Sequence, residues 1–179
     1  MKKIILITVA VLFIFVSCTE KKGQAKKTEP LKSEKKVVVM KKNNLPLTVE
    51  TFSKGGKIHG IVMKSISSGK DIDFSQFKGK KIIFDFWSSW CEPCIEMFPV
   101  INRIKKDVED GEGTVKILSI SVDPMPGKVK EIMKKKKVQC EVLNAPPELA
   151  NAGILMPYMA VADENGIIIA TTSGKHTYE

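Results

Sequence analysis

Arginine, histidine and cysteine are scarce in this chain of 179 residues. Its single arginine is Arg103, and its two histidines are His59 and His176. A near-absence of arginine removes the side chain that makes bidentate contacts to bases, so sequence reading on nucleic acid loses its main tool. Four cysteines in so long a chain exclude a disulfide-stapled miniprotein. Only one stretch approaches continuous apolarity, which excludes a polytopic membrane protein, and there are no internal repeats. What is plentiful argues for a fold: 43% of the residues are apolar, too many for a wholly disordered chain. The length suits one domain of about 100–150 residues with something added.

The formal net charge of +9 is unevenly placed. Residues 1–45 hold 11 of the 29 basic residues and 3 of the 20 acidic ones, a net +8, which leaves 18 against 17, or +1, for residues 46–179. A near-neutral domain thus follows a basic leader, and no nucleic-acid partner is expected.

Met1-Lys2-Lys3 precedes a 13-residue apolar run from Ile4 to Val16, too short to span about 30 Å of hydrocarbon as a helix. Residues 1–17 read as a signal peptide. Phe15-Val16-Ser17-Cys18 resembles the lipobox of bacterial lipoproteins, with Phe15 where that pattern usually has Leu. The resemblance implies acylation of Cys18 and a membrane anchor, each buried methylene contributing about 0.8 kcal/mol; the other reading is an ordinary signal peptide with an incidental cysteine. The anchor is read as lying in the cell membrane or the outer membrane, and Thr19 in place of Asp after Cys18 favours the outer one. Residues 18–45 are rich in Lys, Glu, Thr and Ser and lack aromatics, the composition of a flexible tether with a reach on the order of 28 Å. The domain is expected over 46–179, facing the periplasm or extracytoplasmic space.

Within it the pattern alternates between strand and helix. Short β-prone pieces lie around Lys57–Lys64, and Lys81 to Trp87 is apolar on both parities, the mark of a central strand covered on both faces. Cys91 to about Val108 reads as one helix bent at Pro99, since Ile95, Phe98, Ile101 and Ile104 recur at three-residue steps. Thr114–Val122 reads as a second buried strand, Lys128–Lys137 as a basic helix and Val138–Leu143 as a short strand. Tyr158–Ala162 and Ile167–Thr172 read as a hairpin turning at Asp163-Glu164-Asn165-Gly166. These elements imply an α/β fold, a mixed sheet with helices on both faces.

Trp90-Cys91-Glu92-Pro93-Cys94 follows the central strand directly and opens a helix. Such a pair begins many zinc sites, but zinc wants four ligands, and Cys140, His59 and His176 form no second cluster. Redox chemistry fits the placement better. A helix N-terminus favours thiolate over thiol, and two intervening residues let the sulfurs meet within one turn.

The run Phe84 to Cys94 resembles the active-site segment of thioredoxin-fold proteins. Phe77-Lys78-Gly79-Lys80, Phe98-Pro99, Ser119 to Asp123 and Pro157 further resemble the membrane-anchored TlpA/ResA-type thiol-disulfide oxidoreductases. The resemblance implies a thioredoxin fold in three layers, with Cys91 as the nucleophile towards a partner disulfide and Cys94 as the resolving thiol. Pro157 matches a cis-proline facing the cysteines, beside which the substrate chain pairs; Met156 stands where the family usually has Thr or a β-branched residue. Trp90, Glu92, Pro93, Met156 and Pro157 are the implied substrate-binding residues, and no cofactor or metal is expected. Where ResA-like proteins carry Glu three places after the second cysteine, this chain has Met97, with Glu96 one place earlier.

Asp85 lies within the central strand, where burial favours the neutral carboxyl. It has the spacing of an Asp six positions before the first cysteine of thioredoxin. It is read as acceptor of the Cys94 proton, or else as the ion-pair partner of Lys81 or another lysine. Trp87 is read as core. Trp90 is read as covering the disulfide, and Cys140 as a small buried residue or a regulatory third thiol.

Thioredoxin folds continue past the final hairpin into a helix worth about 6–15 kcal/mol in buried side chains. No such helix is expected here, which leaves truncation, cover by another segment or subunit, or weak folding. The function implied is extracytoplasmic reduction of disulfides in partner proteins, including cytochrome c maturation, with electrons from an unidentified membrane donor. The competing reading is a truncated, catalytically weak lipoprotein that binds partners.

Overall fold

The computed structural model describes residues 47–111 and 113–174. The signal peptide, the tether, Cys18, His176 and the expected lack of a final helix lie outside these residues.

The strands are β1 Val62–Ser65, β2 Asp71–Asp73, β3 Lys81–Trp87, β4 Val115–Ser121, β5 Glu141–Asn144, β6 Tyr158–Ala162 and β7 Ile168–Ser173. They form one mixed sheet in the order β2-β1-β5-β4-β3-β6-β7. β3 lies parallel to β4 and antiparallel to β6, so its apolar residues of both parities are buried, Ile83 half so, as the unbroken hydrophobic run requires. On one face Ile82, Phe84 and Phe86 join Phe52 and Phe74 in the larger core. Phe52 packs edge-on against Phe84 and Phe86 at 5.1 and 5.0 Å between ring centres, and the Tyr158 hydroxyl donates to the Phe52 carbonyl at 3.0 Å.

The other face carries the helices α1 Glu92–Glu96, α2 Phe98–Ile104 and α3 Pro126–Lys136, while the short α4 Pro147–Ala150 packs through Leu149 against the larger core, so helices cover both faces. The single bent helix expected from Cys91 to Val108 is instead two helices and a π-helical turn, Lys105–Asp110. The break falls at Met97, before Pro99, which occupies the first turn of α2, where its missing N–H costs nothing. Met97 N–H bonds the Cys94 carbonyl at 3.1 Å, and Val100 and Ile101 N–H groups both bond the Met97 carbonyl. Two further corrections concern boundaries. The β-prone stretch from Lys57 forms a strand only from Val62, and the strand expected from Val138 starts at Glu141.

Candidate active site

β3 ends at Trp87, and the chain crosses to α1 through Ser88, Ser89, Trp90 and Cys91. Trp87 is fully buried and packs edge-on against Phe98, 4.8 Å between ring centres, which fixes the strand end against α2. The loop is clamped from β4. Asp123, 3% exposed, accepts the Ser89 N–H through Oδ2 at 3.0 Å and the Met125 N–H through Oδ1 at 2.8 Å. A carboxylate holding two backbone donors ties the loop before Cys91 to the start of α3. The sequence run Ser119 to Asp123 marked this segment, but nothing local to it could name Ser89 as the partner.

Cys91 and Cys94 are joined in a disulfide, with Cα atoms 5.3 Å apart and Cys91 at the N-cap of α1. Among the described residues no group of three or more His, Cys, Asp or Glu lies together to hold a metal. Cys91 keeps 8% of its surface exposed and Cys94 2%, so Cys91 is the more accessible of the two. Pro93 fits the first turn of α1 as Pro99 does α2. Glu92 and Glu96 are exposed and Met97 is buried, so the acidic side chains two places before and after Cys94 face outward.

Asp85 is on the same sheet side as Trp87 and the cysteine-bearing helix, since Phe84 and Phe86 take the opposite one. It is 2% exposed, and its Oδ2 accepts the Ser119 hydroxyl at 3.1 Å, while Oδ1 has no partner. Burial pushes its carboxyl up to about 7, against a downward pull from the Ser119 hydrogen bond. The lysine alternative fails: Lys81 pairs with Glu164 at 3.7 Å, at the far end of the strand. Cys140 is a buried free thiol, pushed up to about 12 first by burial and then by the charge of Asp85.

Across from the disulfide the Met156–Pro157 peptide is cis, Pro157 is buried, and Met156 packs against both the larger core and the cluster holding the cysteines. Trp90 is 60% exposed, so it stands beside the disulfide largely in solvent instead of covering it, while Met125 and Leu155 are 46% and 80% exposed. Among the described residues, three of the four large apolar side chains left exposed therefore belong to segments bordering the cysteines, the fourth being Ile169 on β7.

The family model for redoxin matches residues 48–178, well over half of the chain. The chain belongs to the redoxin family. This redoxin is 28% identical over 114 residues to the thiol-disulfide oxidoreductase ResA of Bacillus thuringiensis, covering 62% of this chain and 65% of that protein. It is 33% identical over 95 residues to ResA of Bacillus subtilis, covering 52% of this chain and 51% of that one. The chain thus spans between half and two thirds of the length of these relatives. A solved thiol:disulfide interchange protein of the thioredoxin family from Chlorobium tepidum superposes with a TM-score of 0.59 at 24% identity, over 70% of this chain and 90% of that one. The α/β, thioredoxin-like fold read from the sequence is thereby borne out, as is the resemblance to the ResA type.

Proposed function

We propose that this redoxin is a thiol-disulfide oxidoreductase that reduces disulfides of partner proteins outside the cytoplasm. The observation that carries the reading is the Cys91–Cys94 pair at the head of a helix, on the same sheet side as a fully buried Asp85. In the reduced protein the Cys91 thiolate attacks one sulfur of a partner disulfide, forming a mixed disulfide and expelling the partner's other sulfur as thiolate. Cys94 then gives its proton to Asp85 and attacks the Cys91 sulfur. The Cys91–Cys94 bond forms, the mixed disulfide breaks, and the partner leaves with both sulfurs reduced by two electrons.

A base held near pH 7 suits this step, since it is ionised often enough to accept the proton and basic enough to hold it. Trp90, Glu92, Pro93, Met156 and Pro157 line the approach, and exposed Trp90, Met125 and Leu155 favour a polypeptide partner over a small polar one. Cysteine pairs of apocytochromes before haem attachment are one such substrate, supported by the likeness to ResA. Acylation at Cys18 would hold the domain at the membrane, with residues 18–45 as its tether and a membrane protein as electron donor.

The test is turnover of the full chain on insulin disulfides driven by dithiothreitol, with the reduction potential of Cys91–Cys94 read in thiol buffers. A potential near −250 mV, the region of thioredoxin, supports a reductant; one near −120 mV makes the protein an oxidant and removes the cytochrome role. Absence of turnover would leave the partner-binding reading in its place.

A further inference from the structure

The reaction above needs one carboxylate oxygen of Asp85 to stay open to a proton. We infer that Ser119 is a positioning residue for the redox reaction: its hydroxyl holds Oδ2 of Asp85 from the neighbouring strand and leaves Oδ1 as the oxygen that takes the proton of Cys94. The inference rests on the proposed role of Asp85.

Ser119 lies directly across from Asp85 in the parallel β3–β4 register, and it is fully buried. Its hydroxyl has one hydrogen to donate. Two acceptors compete for it, since the hydroxyl acts on both Asp85 and the Cys140 thiol. Cys140 remains a neutral thiol through the physiological range, so the ionised carboxylate wins the hydrogen.

Among the described residues no other side chain is hydrogen-bonded or ion-paired to Asp85. β6 places Met159 opposite it in register, and α1 brings the cysteines and an outward-facing Glu96. α2 carries exposed Arg103, and α3 contributes Val129, Ile132 and Met133 while Lys128, Lys130, Lys134 and Lys135 are exposed. Glu109 of the π turn bears on Cys140, and its own carboxylate is bound to Lys116 at 2.6 Å and to the Ile117 N–H at 2.9 Å. Ser119 is therefore the one hydrogen-bond partner of the Asp85 side chain among the described residues.

A single neutral donor stabilises the ionised form, so its loss raises the proton affinity of Asp85 further. A hydrogen bond to a charged group is worth roughly tenfold or more in that affinity. The experiment mixes the reduced full chain with Ellman's reagent in a stopped-flow cell. Attack by Cys91 releases the first thionitrobenzoate, and resolution by Cys94 releases the second, so the second phase reads the step that needs Asp85.

Ser119→Ala is expected to move the pH midpoint of that phase up by about one unit, making it about tenfold slower at pH 6 and little changed at pH 9. Ser119→Thr keeps the hydroxyl and restores the wild-type profile. Ser119→Cys, similar in volume and a weaker donor, must shift in the same direction as Ser119→Ala, which covers the case in which the alanine variant does not fold. An unmoved midpoint in the alanine or cysteine variant, with Asp85→Asn still abolishing the pH dependence, overturns the role of Ser119 alone. A second phase unaffected by Asp85→Asn overturns the role of Asp85, and that of Ser119 with it.

Discussion

The two faces of β3 are built to different rules. Ile82, Phe84 and Phe86 point into a core of aromatic and aliphatic groups with Phe52 and Phe74, and that side of the strand holds no polar side chain. Ile83, Asp85 and Trp87 point to the other side, where a carboxyl, a serine, a free thiol and a disulfide are all buried. Among the described residues five buried polar atoms lack a hydrogen-bond partner, and three of them, Asp85 Oδ1, Trp87 Nε1 and Ser88 Oγ, fall on β3 or the residue after it. One strand thus packs an aromatic core on one parity and buries polar and sulfur groups on the other. Under-satisfied polar groups cost folding free energy, and they gather at the end of the strand where the disulfide sits.

Breaking the chemical face at its centre has the largest expected effect. Cys91→Ser should reduce insulin turnover to the uncatalysed rate, because the nucleophile for the first exchange is gone, while the midpoint of urea unfolding shifts little for the reduced protein. A variant that keeps turnover would move the nucleophile elsewhere. On the opposite face Phe84→Ala should reverse that pattern. It opens a cavity among Phe52 and Phe74, 5.1 and 5.4 Å away between ring centres, and should cost about 3–5 kcal/mol in denaturant unfolding. The reduction potential of the folded protein should stay at the wild-type value; a shifted potential would mean that the two faces are not separable.

Asp85→Asn sharpens the comparison, because it acts on both stability and chemistry. Burial pushes the folded carboxyl up to about 7, against an ordinary value of 3.8 in the unfolded chain. Between those values the folded state keeps a proton that the unfolded state has lost, so stability of the oxidised protein falls as pH rises through this window. Above it the ionised, buried carboxylate costs on the order of 4 kcal/mol. Asp85→Asn should therefore stabilise the oxidised protein by up to that amount at pH 8 and hardly at all at pH 4, while slowing resolution. Urea titrations at the two pH values check it, and equal gains at both would place the effect in packing instead of charge.

How much of this was readable from the sequence follows the same division. The double-sided apolar run of β3, the strand at Val115–Ser121 and the hairpin turn at Asp163 to Gly166 are local patterns, and periodicity finds them. The Cys-x-x-Cys pair and the buried Asp85 are likewise local, a motif and a charge inside an apolar run. The break at Met97 was missed because a proline at the second position of a helix looks, in sequence, like a proline inside one. The bonds that finish the site were out of reach altogether. Ser119 to Asp85 and Ser89 to Asp123 each join residues 34 apart, and only the register of β3 with β4 brings them together.

The smallest expected effect lies farthest from the chemistry. Lys137 ends α3 with φ 52° and ψ 47°, the left-handed conformation in which a side chain costs about 1 kcal/mol and glycine is preferred. The turn is well held: Val138 N–H bonds the Met133 carbonyl at 3.0 Å, and Asn102 donates to the Lys137 carbonyl while accepting from the Gln139 N–H, each at 3.0 Å. α3 starts beside Asp123 and runs 11 residues away from the disulfide end, so this strain has no evident use in the reaction. Lys137→Gly should gain about 0.5–1 kcal/mol, the relief being partly offset by the greater freedom of glycine in the unfolded chain, with turnover unchanged. A gain in stability with a loss of turnover would instead tie the basic end of α3 to partner binding, since the substitution also removes one charge from the run Lys134 to Lys137.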